Sequence, residues 1–147
     1  MSIFALPVLQ QNSENRNYVS VQPNTVTQFA AASPFGTKGF LAHNYLSGAQ
    51  FFNIPINKVF YLVYGDGTIK PYIVSVIERY QALQPESLNS SFVDLQKSGN
   101  ILSARDLFNR IYTHGDKVVF QTCIKNGGNG SWGRIFIIAS PYLPSLS

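Results

Sequence analysis

Cys123 is the single cysteine in a chain of 147 residues. It can therefore form no internal disulfide and anchor no cysteine-based metal cluster. A lone thiol can still attack a carbonyl carbon as its thiolate, provided that a neighbouring group handles the proton and a fixed donor steadies the developing oxyanion. The chain holds two histidines, His43 and His114, too few for a convincing zinc site but sufficient for proton transfer. Arg134 lies eleven positions after Cys123, and its planar guanidinium presents donors that a lysine point charge reproduces poorly. Taken singly, each residue has an ordinary reading as a core thiol, a structural imidazole or a surface ion pair. Chemistry requires all three at one place.

The elements that would bring them together read as strands. Lys38 to Ala42 (KGFLA) runs into His43, Lys117 to Cys123 (KVVFQTC) ends at the cysteine, and Gly133 to Ala139 (GRIFIIA) begins at the arginine. Between the last two, Lys125 to Ser131 (KNGGNGS) reads as a flexible glycine-rich loop. Upstream, YVSV and TVTQF are short strand candidates separated by Gln22-Pro23-Asn24, and residues 1–17 read as a flexible N-terminal arm. Ser47 is expected to cap a helical turn over SGAQFF. Val59 to Tyr64 (VFYLVY) reads as a buried strand, Gly65 to Thr68 (GDGT) as a hairpin turn, and Ile69 to Tyr80 as the returning strand, with Pro71 marking an edge or bulge. Gln81 to Ile101 is polar and aperiodic, so it is expected to be a long surface connection. Ser103 to Asp106 resembles a capping box ahead of Leu107, Phe108, Ile111 and Tyr112 at helical spacing, with Gly115 beyond. These elements predict one all-β domain over 18–147, a closed or nearly closed antiparallel barrel of seven to eight strands with one or two short helices.

Composition agrees. Hydrophobic residues make up 45% and charged residues 12% of the chain, which suits a globular core rather than disorder. The formal charge of +4 is the balance of eleven basic and seven acidic residues, and the basic ones form no dense run, so the clustered cations of a nucleic-acid interface are missing and no such partner is expected. No stretch reaches the ~20 apolar residues of a membrane helix. Ile3 to Leu9 is apolar, but it is short, broken by Pro7 and without a basic leader, so it does not read as a signal peptide.

LAHNYLSG (Leu41 to Gly48) resembles the histidine motif of the sortases. FQTC (Phe120 to Cys123) resembles the Thr-x-Thr-Cys strand end of that family, and WGR (Trp132 to Arg134) falls where sortases carry their arginine. The order His, Cys, Arg, with a wide first gap and a narrow second one, is also the family's. The resemblance covers approximately Val21 to Ala139. It departs at Ala42, where many sortases have glycine, and the calcium-binding carboxylates of some class A members are not recognisable, so neither the class nor the sorting motif is named.

The resemblance implies a sortase-like barrel with His43, Cys123 and Arg134 as catalytic residues and Thr122, Asn44 and Trp132 as substrate contacts. No metal and no cofactor is implied. The activity would be cleavage of a sorting-motif peptide bond through a thioacyl-enzyme intermediate, followed by transfer to an amine acceptor. The implied partners are a protein or peptide bearing the motif and the amine. The implied setting is extracytoplasmic, at the cell surface, with membrane contact only through a leader not present in this chain. Two alternatives share the fold: a catalytically inactive binding module, and a hydrolase in which water replaces the amine. Gln121-Thr122-Cys123 and Thr113-His114-Gly115 also echo the caspases, but that family separates its histidine and cysteine by ~50 residues, whereas Cys123 follows His114 by nine positions here. KNGGNG lacks the Lys-Ser or Lys-Thr pair of a phosphate-binding loop.

Overall fold

The computed structural model of the chain describes residues 5–11, 14–96 and 99–143. Outside them lie 1–4 and 12–13 of the segment read as an arm, 97–98 of the long connection, and 144–147. Among the described residues nine strands and two α-helices follow in chain order. They are β1 (Val8–Gln10), β2 (Val26–Gln28), β3 (Lys38–Leu41), α1 (Gly48–Phe51), β4 (Val59–Val63), β5 (Ile69–Ala82), β6 (Phe92–Asp94), β7 (Ile101–Leu102), α2 (Ala104–Tyr112), β8 (Val118–Asn126) and β9 (Asn129–Pro141). A 3-10 helix, Ala30–Phe35, joins β2 to β3.

One sheet contains every strand in the order β1-β2-β3-β8-β9-β5-β6-β7, with β4 attached only to β5. It curls without closing. The expected mostly β, nearly closed architecture is thus what the chain forms. The strand count rises to nine because β1, β6 and β7 are only two or three residues long, too short to leave a periodic signal. Two pairings are parallel rather than antiparallel, β1 with β2 and β3 with β8.

Alternation along β8 and β9 builds two cores, one on each face of the sheet. On one face, Val118, Ile135, Ile137 and Ala139 join Val26, Phe40, Phe51, Tyr72 and Val74. On the other, Val119 and Phe136 join Tyr80, Ala82, Phe92, Leu102 and the α2 side chains Leu107, Ile111 and Tyr112. Each large apolar side chain buried this way contributes about 1.5–3 kcal/mol. The α2 helix begins as its sequence predicts: Ser103 accepts a hydrogen bond from the Asp106 N–H at 3.1 Å, a cap worth about 1 kcal/mol. The long β5 bends through a bulge between Val74 and Val76, where the Ser75 hydroxyl donates to the Ile138 carbonyl.

Several local expectations are corrected. Within the segment read as a flexible arm, Val8–Gln10 add a parallel strand beside β2. The buried Gln11 then donates to the Tyr18 carbonyl and accepts from the Ala30 N–H. YVSV forms no strand. Ser47 has helical angles and makes no side-chain cap. The stretch from Gln81 is not a bare connection, because β5 continues to Ala82 and β6 and β7 follow. VFYLVY is an edge strand rather than a buried one, with Tyr61 and Val63 62% and 73% exposed.

The Lys125–Ser131 loop is a tight hairpin. Asn126 pairs with Asn129, and Gly127 has φ +61°, the left-handed angle that two-residue hairpin turns demand and glycine supplies cheaply. Asn-Gly-Gly-Asn is therefore a hairpin signature read as a flexible loop. As a consequence Cys123 and Arg134 lie inside their strands and not at the ends.

Candidate active site

The pairing of β8 with β9 sets Cys123 directly opposite Arg134. Residues opposite each other in an antiparallel pair project from the same face at close range. On the far side of β9 the same row continues to Tyr80 on β5 and then Asp94 on β6. On the near side, β3 runs parallel to β8 with Leu41 against Gln121. The pairing persists one residue further, since the Ala42 N–H donates to the Gln121 carbonyl at 3.3 Å and the Thr122 hydroxyl donates to the Ala42 carbonyl at 2.6 Å. His43 is the next residue along the chain, where the turn after β3 begins. The sheet thus sets Cys123 and Arg134 on adjacent strands, and His43 stands two residues past the end of β3, the strand on the other side of β8. All three are partly exposed.

Each is held by different means. The His43 carbonyl accepts from the Leu46 and Gly48 N–H groups, both at 3.0 Å, which fixes the turn leaving β3. Its ring stacks on Tyr45 at 5.1 Å between centroids and 20° between planes. Gly48 sits so close to this junction that a Cβ there would lie 2.3 Å from Thr122 Oγ1 and 2.7 Å from the His43 carbonyl oxygen. The Arg134 guanidinium donates to the Ser131 and Gly133 carbonyls at 2.9 and 3.0 Å. Its Cζ lies 5.8 Å from the centre of the Phe92 ring, within cation–π range. Two residues before Cys123 on β8, Gln121 accepts from the Tyr112 hydroxyl. Burial pushes the Tyr112 phenol up, so it stays a donor.

Beyond Arg134 the row ends in a polar network. Arg110 pairs with the Asp94 carboxylate at 2.9 Å and donates to the Tyr80 hydroxyl at 3.2 Å, which donates in turn to Glu78. Burial, and then the bond to Glu78, raises the Tyr80 phenol to about 12. Among the described residues no group of three or more His, Cys, Asp or Glu is arranged to hold a metal ion.

The three residues read as substrate contacts fall in different settings. Thr122 points to the opposite face from Cys123 and is buried, its hydroxyl committed to Ala42, so it ties β8 to β3. The Asn44 amide donates to the Gly130 carbonyl at 2.9 Å, joining the turn after His43 to the β8–β9 hairpin. Trp132 is partly exposed on β9, two residues from Arg134, where the pairing with β8 shifts register. His114 lines a groove with Asn109 and Arg110. Sequence reasoning missed Phe92 because it sits in the stretch read as a loop, and missed Tyr45 because a single exposed aromatic after a histidine carries no pattern.

No family model matches the chain, and no curated protein sequence matches it. Solved structures do. Sortase C1 of Streptococcus agalactiae aligns at a TM-score of 0.54 and 15% identity, covering 97% of this chain and 63% of that one. Sortase C of Clostridium perfringens SM101 aligns at 0.54 and 17%, covering 95% and 63%. Sortase A of Corynebacterium diphtheriae aligns at 0.56 and 11%, covering 96% and 56%. The chain therefore spans less than two thirds of the length of these structures. No helix among its described residues is long and apolar enough to cross a membrane. An open nine-stranded sheet that superposes on these enzymes over nearly its whole length has a sortase-like fold.

Proposed function

We propose that the chain is a cysteine transpeptidase acting on a protein or peptide with a sorting motif, with residues 18–147 and the added strand Val8–Gln10 as its catalytic domain and the cell surface as its place of work. The observation that carries this reading is the direct pairing of Cys123 with Arg134 on adjacent strands, next to the strand that leads into His43. In the first half-reaction the Cys123 thiolate forms a carbon–sulfur bond to the scissile carbonyl. Arg134 donates hydrogen bonds to the resulting oxyanion. The carbon–nitrogen bond then breaks as His43, protonated, gives its proton to the leaving amine. In the second half-reaction an acceptor amine attacks the thioester, His43 takes the amine proton, and the cysteine sulfur leaves. The carbonyls of Ser131 and Gly133 and the ring of Phe92 hold the guanidinium in place, which suits a preorganised donor. Tyr45 plays the same part for the imidazole.

The test is mass spectrometry of products from a peptide library incubated with the protein and a simple amine. Truncated peptides carrying the amine support transpeptidation. Truncated free acids alone favour the hydrolase. Binding without any cleavage favours the inactive module.

A further inference from the structure

The edge of the sheet at β4 is open in an unusual way. Natural edge strands are commonly guarded by a charge, a proline or a bulge; Val59–Val63 reads VFYLV with none of these inside it, and the flanking Lys58, whose carbonyl accepts from the Val74 N–H, is the charge at its start. Its hydrogen-bonding parity is fixed by its neighbours. The Tyr64 N–H donates to the Thr68 carbonyl and the Val74 N–H donates to the Lys58 carbonyl, so Phe60 and Leu62 bond inward to β5. Pro71, which has no N–H, stands opposite Tyr61, as a non-bonded pair requires. The N–H and C=O groups of Val59, Tyr61 and Val63 therefore point away from the sheet. On the outer face beside them Tyr61, Val63 and Ile69 are 62%, 73% and 59% exposed, with Val63 against Ile69 across the ribbon.

We infer that β4 is a homodimerisation edge, pairing antiparallel with β4 of a second copy about a two-fold axis at Tyr61. Three observations select a second copy. Outward residues must pair with outward residues, and centring the axis on Tyr61 uses all of them: Tyr61 meets its own counterpart and Val59 meets Val63. That register is isologous and closes. The charges are self-complementary, because the same register brings Lys58 of one copy diagonally beside the Asp66 turn of the other. The two-fold axis makes this happen twice. The ribbon of Tyr61, Val63 and Ile69 also becomes continuous across the axis, where the two Tyr61 side chains pack against each other as a cross-strand pair.

Sedimentation velocity from low to high micromolar protein tests this. The parent is expected to show a reversible monomer–dimer equilibrium. Val63→Lys should give monomer throughout, with its melting temperature at low concentration unchanged. Lys58→Glu should weaken the dimer about ten-fold, since two symmetry-related charge pairs are lost, and Lys58→Glu with Asp66→Lys should restore it. In a Cys123→Ser background, Tyr61→Cys should oxidise to a cross-linked dimer while inward-facing Leu62→Cys should not, because only the pair on the axis meets disulfide geometry. A parent that stays monomeric overturns the proposal, as does a dimer indifferent to Val63→Lys or to the charge reversal. A monomer that co-sediments with anionic phosphatidylglycerol vesicles through this ribbon overturns it in favour of a lipid surface.

Discussion

Replacing Gly48 by alanine probes how the site is built with a single methyl group. The added Cβ would sit 2.3 Å from Thr122 Oγ1, 2.7 Å from the His43 carbonyl oxygen and 2.9 Å from the Ala42 carbonyl oxygen. Two of these are backbone atoms and the third is a buried hydroxyl already committed to Ala42, so no flexible side chain can swing aside. Overpacking of this kind costs roughly 1–3 kcal/mol, and displacing the Thr122 hydroxyl from Ala42 adds about 1 kcal/mol. Alanine's better helix propensity returns at most about 1 kcal/mol. The net loss is about 2 kcal/mol, which in a domain of this size lowers Tm by about 4–8 °C. Gly128→Ala is the control, since a Cβ there meets nothing within 4 Å. Differential scanning calorimetry reads both. A Gly48→Ala protein that melts with the parent would refute the claim that this glycine is where α1, β3 and β8 meet.

Other outcomes follow from the same geometry. Arg134→Lys keeps the charge but loses the planar fork, and should lower kcat/KM about 100- to 1,000-fold in the peptide–amine assay. Phe92→Leu removes the ring beneath the guanidinium, and a contact of about 0.5–2 kcal/mol converts to a fall of about 2- to 30-fold. Arg110→Ala takes the cationic partner from an Asp94 carboxylate that is 6% exposed and should cost about 1–3 kcal/mol in urea unfolding. Tyr72 and Tyr80 are each raised from 10.0 to about 12, chiefly by burial. Their contribution to stability is complete below pH 10 and is lost as pH climbs toward 12, because above 10 the unfolded chain sheds phenolic protons that the folded one retains. A Tm that holds level through that window would count against both burials.

The sequence carried the architecture unevenly. Strong periodic signals were legible: the GDGT hairpin, the α2 cap at Ser103, and the alternation of β8 and β9. Short strands were not. Phe92–Asp94 and Ile101–Leu102 are held by pairing to β5 and to each other, a tertiary cause with no local trace. The strand boundaries near the site were misplaced for the same reason. Gly127-Gly128 reads as slack until Asn126 and Asn129 are seen to pair. The three candidate catalytic residues were nameable from type and order. The parts that hold them were not, since Gly48, Tyr45 and Phe92 act through proximity in space.

The central claim is that Cys123 is the nucleophile and His43 its proton partner. Peptide mapping of the protein after brief incubation with a peptide library and no amine addresses it directly. The account predicts an acyl mass on the fragment containing Cys123, none in Cys123→Ala, nearly none in His43→Ala, and a full adduct in His114→Ala. An adduct that survives His43→Ala and disappears with His114→Ala, or no adduct on Cys123 in the parent with any peptide, would contradict it.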